Sequence, residues 1–157
     1  MSTPDSIPSG EFGCLLAKAG GEHFALLAAR IVRVLRDVTI HPIPGAGPPV
    51  VGLAQYAGEP VAVVDLFESI HGRSSETVQQ IVVLIARERR TRRDVVGLAV
   101  DETIRLERIR DVSIDGHPEP PVLGWTDISG NRVRVVDPTQ IAGVDPDPST
   151  TSWGGET

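Results

Sequence analysis

Apolar residues in this chain come in short runs, each cut off by Gly, Pro or charged residues, and no run keeps a helical period for long. FGCLLAKAGGEHFALLAA breaks at Gly20-Gly21, which predicts a hairpin between two apolar strands. In ARIVRVLRD, Ile31, Val34 and Leu35 fall at helical spacing while Arg30, Arg33 and Arg36 take another side, so a short amphipathic turn of helix is expected. HPIPGAGPP follows as a stiff loop, because proline fixes φ and removes donors. VVGLAQY and PVAVVDL flank a tight turn at Ala57-Gly58-Glu59. DLFESIHG predicts a helical turn with Asp65 as its N-cap and Gly72 as its stop. QQIVVLIA and DVVGLAVD read as a further strand pair, and TIRLERIRDVSI as a curved strand. The last hairpin turns at Ser129-Gly130-Asn131 and ends in DPTQIAG, where Pro138 suits the first helical position after an Asp cap.

Two of these stretches are copies. VVGLAQYAGEPVAVVD from Val50 and VLGWTDISGNRVRVVD from Val122 align without a gap at an offset of 72. Val50, Gly52, Gly58, Val61, Val63, Val64 and Asp65 are identical to Val122, Gly124, Gly130, Val133, Val135, Val136 and Asp137. A hairpin followed by a capped turn closes a small barrel, since closure removes exposed sheet edges. One copy in each half therefore predicts two small barrels related by an approximate twofold axis. About ten short strands and only scraps of helix make the fold mainly β.

Composition narrows the class. With 40% hydrophobic residues but only 4% aromatics, the interior must be filled by Val, Ile, Leu and Ala. No run nears the roughly 20 apolar residues that cross a bilayer, and MSTPDSIPSGEFG lacks the basic and apolar segments of a signal peptide. Cys14 is alone, which excludes an internal disulfide and, with the foregoing, points to the cytoplasm. A net charge of −6 argues against nucleic acid as a partner. The exception is RERRTRRD, residues 87–94, with five arginines and two acids. It is read either as a solvated hairpin loop or as a surface for an anionic partner.

Catalytic chemistry does not assemble from these residues. His23, His41, His71 and His117 lie far apart without metal-ligand spacing and read as surface histidines. Cys14, at the start of an apolar run, reads as a small core residue. There is no Gly-rich phosphate loop and no Gly-x-Ser-x-Gly. Asp65 and Asp137 are the only acids that the repeat duplicates, and each follows a strand and precedes a helical turn, the place of a capping carboxylate. No catalytic residue, cofactor or metal site is predicted, so binding is the expected work.

The run from Phe24 to Ile70 resembles the CheW-like family of chemotaxis coupling proteins: a strand at Phe24 to Ala28, a short helix at Ile31 to Arg36, a Pro-rich loop at Pro42 to Pro49, a hairpin at Gly52 to Gly58 and an ending at Val63 to Leu66. IVVLIARERRTRRDVVGLAVDETIRLERI looks like the family's strand–loop–strand, ending at Gly97 to Asp101. The resemblance implies two five-stranded SH3-like barrels sharing a hydrophobic core over residues 12–143, interleaved near residues 75–80, with a flexible start at 1–11 and a disordered tail at 144–157. It implies an adaptor: one barrel docks to the regulatory domain of a chemotaxis histidine kinase, and the groove between barrels receives the cytoplasmic tip of a chemoreceptor. Direct membrane insertion is not implied. Ile31, Arg33 and Val34 would form one side of that groove, and Gly52, Ala57 and Gly58 the neighbouring hairpin, although structural needs alone explain glycines of this kind. Val61 and Val63 read as core. The family's usual Glu and Arg are replaced here by Arg33 and Ala57, so its opposite-charge pair cannot form. That departure keeps open a divergent binding module for another motility or regulatory partner.

Overall fold

Strands β1 (Phe12–Ala19) and β2 (Glu22–Leu27) form the first hairpin, turning at Gly20-Gly21 with both φ angles positive. The computed structural model describes residues 7–76, 79–88 and 93–141. After a 3-10 turn at Ala28–Arg30 come β3 (Ile31–Arg36), β4 (Val50–Tyr56), β5 (Glu59–Asp65) and helix α1 (Leu66–His71). Then follow β6 (Ile81–Glu88), β7 (Arg93–Val100), β8 (Glu102–Ile109), β9 (Val122–Ile128), β10 (Asn131–Val136) and a 3-10 turn at Pro138–Gln140. The arginine segment 89–92, residues 1–6, 77–78 and the tail from 142 lie outside the described residues.

The strands make two five-stranded sheets, in the orders β8-β1-β2-β10-β9 and β3-β6-β7-β5-β4. Each takes a hairpin from one half of the chain and three strands from the other, joined through the parallel pairs β2/β10 and β5/β7. Neither ladder closes on itself. Each sheet is instead fastened by a single bridge from the segment that follows its edge strand: His41 to Leu53 beyond β3, and Ser113 to Trp125 beyond β8. Both bridges exchange two hydrogen bonds, of 2.8 and 2.8 Å in the first and 2.7 and 2.8 Å in the second.

These details extend the repeat far past its identical residues. The bridging pairs His41/Leu53 and Ser113/Trp125 are themselves 72 apart, as are the cis bonds Pro48-Pro49 and Pro120-Pro121. The register slips at Val32 and Ile104, and again at Val51 and Leu123, follow the same offset. The repeated glycines belong to the bridges. A Cβ on Gly52 would stand 2.2 Å from the His41 carbonyl oxygen, and one on Gly124 2.5 Å from that of Ser113.

Residues on both faces of the central strands are buried. Leu15, Phe24, Leu26, Val64, Val83, Ile85 and Leu98 fill a core shared by both sheets. Their alternates fill a separate core on each sheet's other side, Cys14, Leu16, Ala25 and Leu27 in the first, Val61, Val63, Val82 and Leu84 in the second. Runs such as CLLA, FALL and VVLI are unbroken because both faces need apolar side chains.

The helix expected over Ile31 to Arg36 is a strand. Ile31 faces Ile85 and Arg33 faces Leu84, so Val32 is an extra residue bulged from the ladder. The bulge resets the alternation, so that Ile31 and Val34 both pack on the shared core while Leu35 packs on the second sheet's own core. A spacing of three on one face imitates a helix, whereas the β-branched residues favour the strand.

The capping carboxylates are as the sequence suggests. Asp65 accepts from the Glu68 amide at 3.3 Å, and Gly72 ends α1 in the left-handed region with its amide on the Glu68 carbonyl. Asp137 accepts from the Thr139 amide at 3.1 Å and its hydroxyl at 2.7 Å. Asp65→Ala is expected to lower stability by about 1 kcal/mol, read as a lower urea midpoint at unchanged slope.

Candidate functional site

The two sheets come together along their edge strands. Arg36, at the end of β3, donates from Nη2 to the hydroxyl of Thr103, near the start of β8, at 2.8 Å. At this seam Ile31 and Val34 are half-buried against the shared core. Leu106 stands opposite Leu15 in the β1/β8 register, and directly opposed residues share a face. Leu15 is in the shared core, yet Leu106 is 71% exposed, an apolar side chain left open at the rim. Val32, in the bulge, is also exposed.

Charge frames this apolar strip. Arg33 and Arg36 on β3 recur as Arg105 and Arg108 on β8, at the repeat's offset. Arg105 pairs with Glu107, while Arg108 and Arg110 each reach Glu11 at 3.2 Å. The hydrogen bond from Arg110, reinforced by Arg108, holds the Glu11 carboxyl below its ordinary range. Arg33 is exposed and makes no ion pair among the described residues. A solvent-facing apolar seam edged by guanidinium groups suits an amphipathic protein surface with acidic flanks.

The six residues singled out in the sequence divide into two groups. Ile31, Arg33 and Val34 lie on β3, at one edge of the second sheet, and Gly52, Ala57 and Gly58 lie at the opposite edge, on β4 and its turn. Gly52 is buried, and its missing side chain accommodates the chain's own His41 segment. Ala57 and Gly58 are exposed, with φ of 53° and 81°, the two-residue hairpin turn whose twist matches the strands. Leu106 was not among the residues singled out. The repeat carried the signal, for Leu106 is the mate of Val34.

The chemistry available here is that of contact. Among the described residues no three His, Cys, Asp or Glu side chains group to hold a metal ion. Burial pushes the Cys14 thiol up to about 12, so it stays protonated. Asp65 and Asp137 are occupied as caps. One histidine departs from the surface role expected for all four: His71 is half-buried, its ring tilted against Phe67 at a centroid distance of 4.5 Å. No helix among the described residues is long and apolar enough to cross a membrane.

Comparison with known proteins agrees with this architecture. Residues 13–145 match the family model of the CheW-like domain. The fold is similar to that of TtCheW, a scaffolding protein from Thermoanaerobacter tengcongensis, with a TM-score of 0.69 over 91% of this chain and 99% of that one. The sequences share 15% identity, so the likeness is one of fold. No curated protein matches the chain.

Proposed function

The chain belongs to the CheW-like domain family, and on that premise we propose that it is a non-enzymatic adaptor that couples a chemotaxis-type histidine kinase to chemoreceptors. The observation that carries this reading is the seam between the sheets, where Ile31, Val34 and Leu106 present an apolar strip edged by arginines. A receptor's cytoplasmic tip, a helical surface of apolar and acidic residues, is the partner assigned to that strip. The kinase's regulatory domain is assigned to the outer part of one sheet, away from the seam. The protein then works in the cytoplasm, recruited to membrane-associated receptor arrays. Duplication gives it the two faces that bridging requires.

A second reading rests on Arg33 and Ala57. They stand where relatives carry a Glu and an Arg, and Arg33 is exposed at the seam itself. Under this reading the chain is a CheW-like module that serves another motility or regulatory partner without receptor coupling.

Calorimetric titration of the purified chain with the cognate kinase regulatory domain and with the receptor tip separates the two. Micromolar or tighter binding of both is expected from the first reading. Binding of neither ends it, and binding of the kinase domain alone favours the second. Arg33→Glu is expected to change receptor-tip affinity severalfold with the melting curve unaltered, because an exposed side chain contributes little to stability. An unchanged affinity would remove Arg33 from the contact.

A further inference from the structure

Three polar side chains from three elements meet where α1 lies against the first sheet. The Glu22 carboxylate, on β2, takes His71 Nε2 on one oxygen at 2.7 Å and Arg134 Nη1, from β10, on the other. His71 is the last residue of α1, the helix that continues the second sheet's β5, so this contact ties one sheet to the other. The same helix is seated by Phe67 over Gly20 of the β1–β2 turn, where a Cβ would stand 2.4 Å from the ring. We propose that Glu22, His71 and Arg134 form a proton-sensitive clasp between the two sheets, closed while the His71 ring is neutral and loosened when the ring takes a proton.

The charges around the ring support that direction. Glu22 faces it from β2, and Arg134 faces Glu22 from β10. Arg73, in the segment after α1, lies over the Phe67 ring on which His71 is stacked, 5.0 Å from its centroid. Glu68, on the helix itself, offers its carbonyl to Gly72. With a neutral ring, Nε2–H donates to a carboxylate whose charge Arg134 already balances. A proton on the ring adds a positive charge between two arginines, in a place where Phe67 and Phe24 limit its hydration. Burial first, and then Arg73, hold the imidazole below its ordinary value.

The fold itself does not demand this trio. The repeat mate of Arg134 is Ala62, and the first copy's hairpin forms without a cation there. The sign follows from linkage. A base whose folded value is depressed contributes stability that is complete above its unfolded value, about 6.5, and lost as pH falls below it.

The test is urea unfolding of the full chain across pH 5 to 8, with hydrogen exchange of the α1 and β2 amides at each pH, for the wild type and for His71→Gln, which keeps a donor but cannot titrate. The wild-type midpoint is expected to fall on acidification, together with faster exchange at Gly72 and the β2 amides, and His71→Gln is expected to flatten both. Glu22→Gln, the second variant, should weaken protection at neutral pH without touching the hydrophobic packing. Superimposable pH profiles for wild type and His71→Gln would overturn the proposal. So would stability that rises on acidification, or exchange at α1 that ignores pH.

Discussion

Gly52→Ala is expected to lower stability by about 3 kcal/mol, combining backbone displacement with the loss of bridge hydrogen bonds. That corresponds to a fall of about 10 °C in Tm for a chain of this size. The added Cβ would sit 2.2 Å from the His41 carbonyl oxygen, and main-chain atoms cannot swing aside as a flexible side chain does. The bridging segment must move, and with it go the two hydrogen bonds that fasten β4. Gly124→Ala should behave alike, since its Cβ would meet Ser113 at 2.5 Å in the other sheet. Gly47→Ala is the control, with open space around the new methyl and an expected change within about 0.5 kcal/mol. Thermal and urea unfolding of the three variants decides the matter. Equal stability of Gly52→Ala and Gly47→Ala would mean that the bridge does not fasten the sheet.

Leu106→Asp is expected to weaken receptor-tip binding tenfold or more, the usual effect of removing an apolar anchor near the centre of an interface. Leu106 is 71% exposed, so the unfolding curve should hardly change. An Asp there also places a carboxylate where the proposed partner brings its own acids. Ile114→Asp is the matched control: its side chain is 61% exposed, next to the Ser113 bridge at the first sheet's opposite edge. Titration calorimetry on both variants tests the assignment of the seam. If the two variants bind the tip equally well, the apolar strip is not the contact.

Much of the site was within reach of the sequence. Val34 was identified from its spacing, and Leu106 follows from Val34 by the offset of 72. It went unnoticed because only Arg33, Arg36, Pro48 and Pro49 are identical to their mates in the stretch before Val50, too few to reveal the copy. The seam needs little identity, since a bulge and an edge strand depend on backbone geometry more than on particular side chains. His71 was misjudged for a different reason. Its neighbours Glu22 and Arg134 lie 49 and 112 residues away in opposite directions from Glu22, so nothing near it in the chain announces burial.

By itself the sequence determined the local events: the turns at Gly20-Gly21 and Ala57-Gly58, the caps at Asp65 and Asp137, the two-sided apolar strands and the duplication. Each is set by φ preferences, hydrogen-bonding groups or periodicity within a few residues. Only the tertiary structure decided that β3 is a bulged strand, that each sheet borrows a hairpin from the other half, and that Leu106 is left open at the seam. Those outcomes depend on parallel pairings such as Val64 with Leu98 and Val136 with Leu26, and on register at sheet edges. Contacts of that range are selected by the packing of the shared core, a property of the assembled chain and of no single segment.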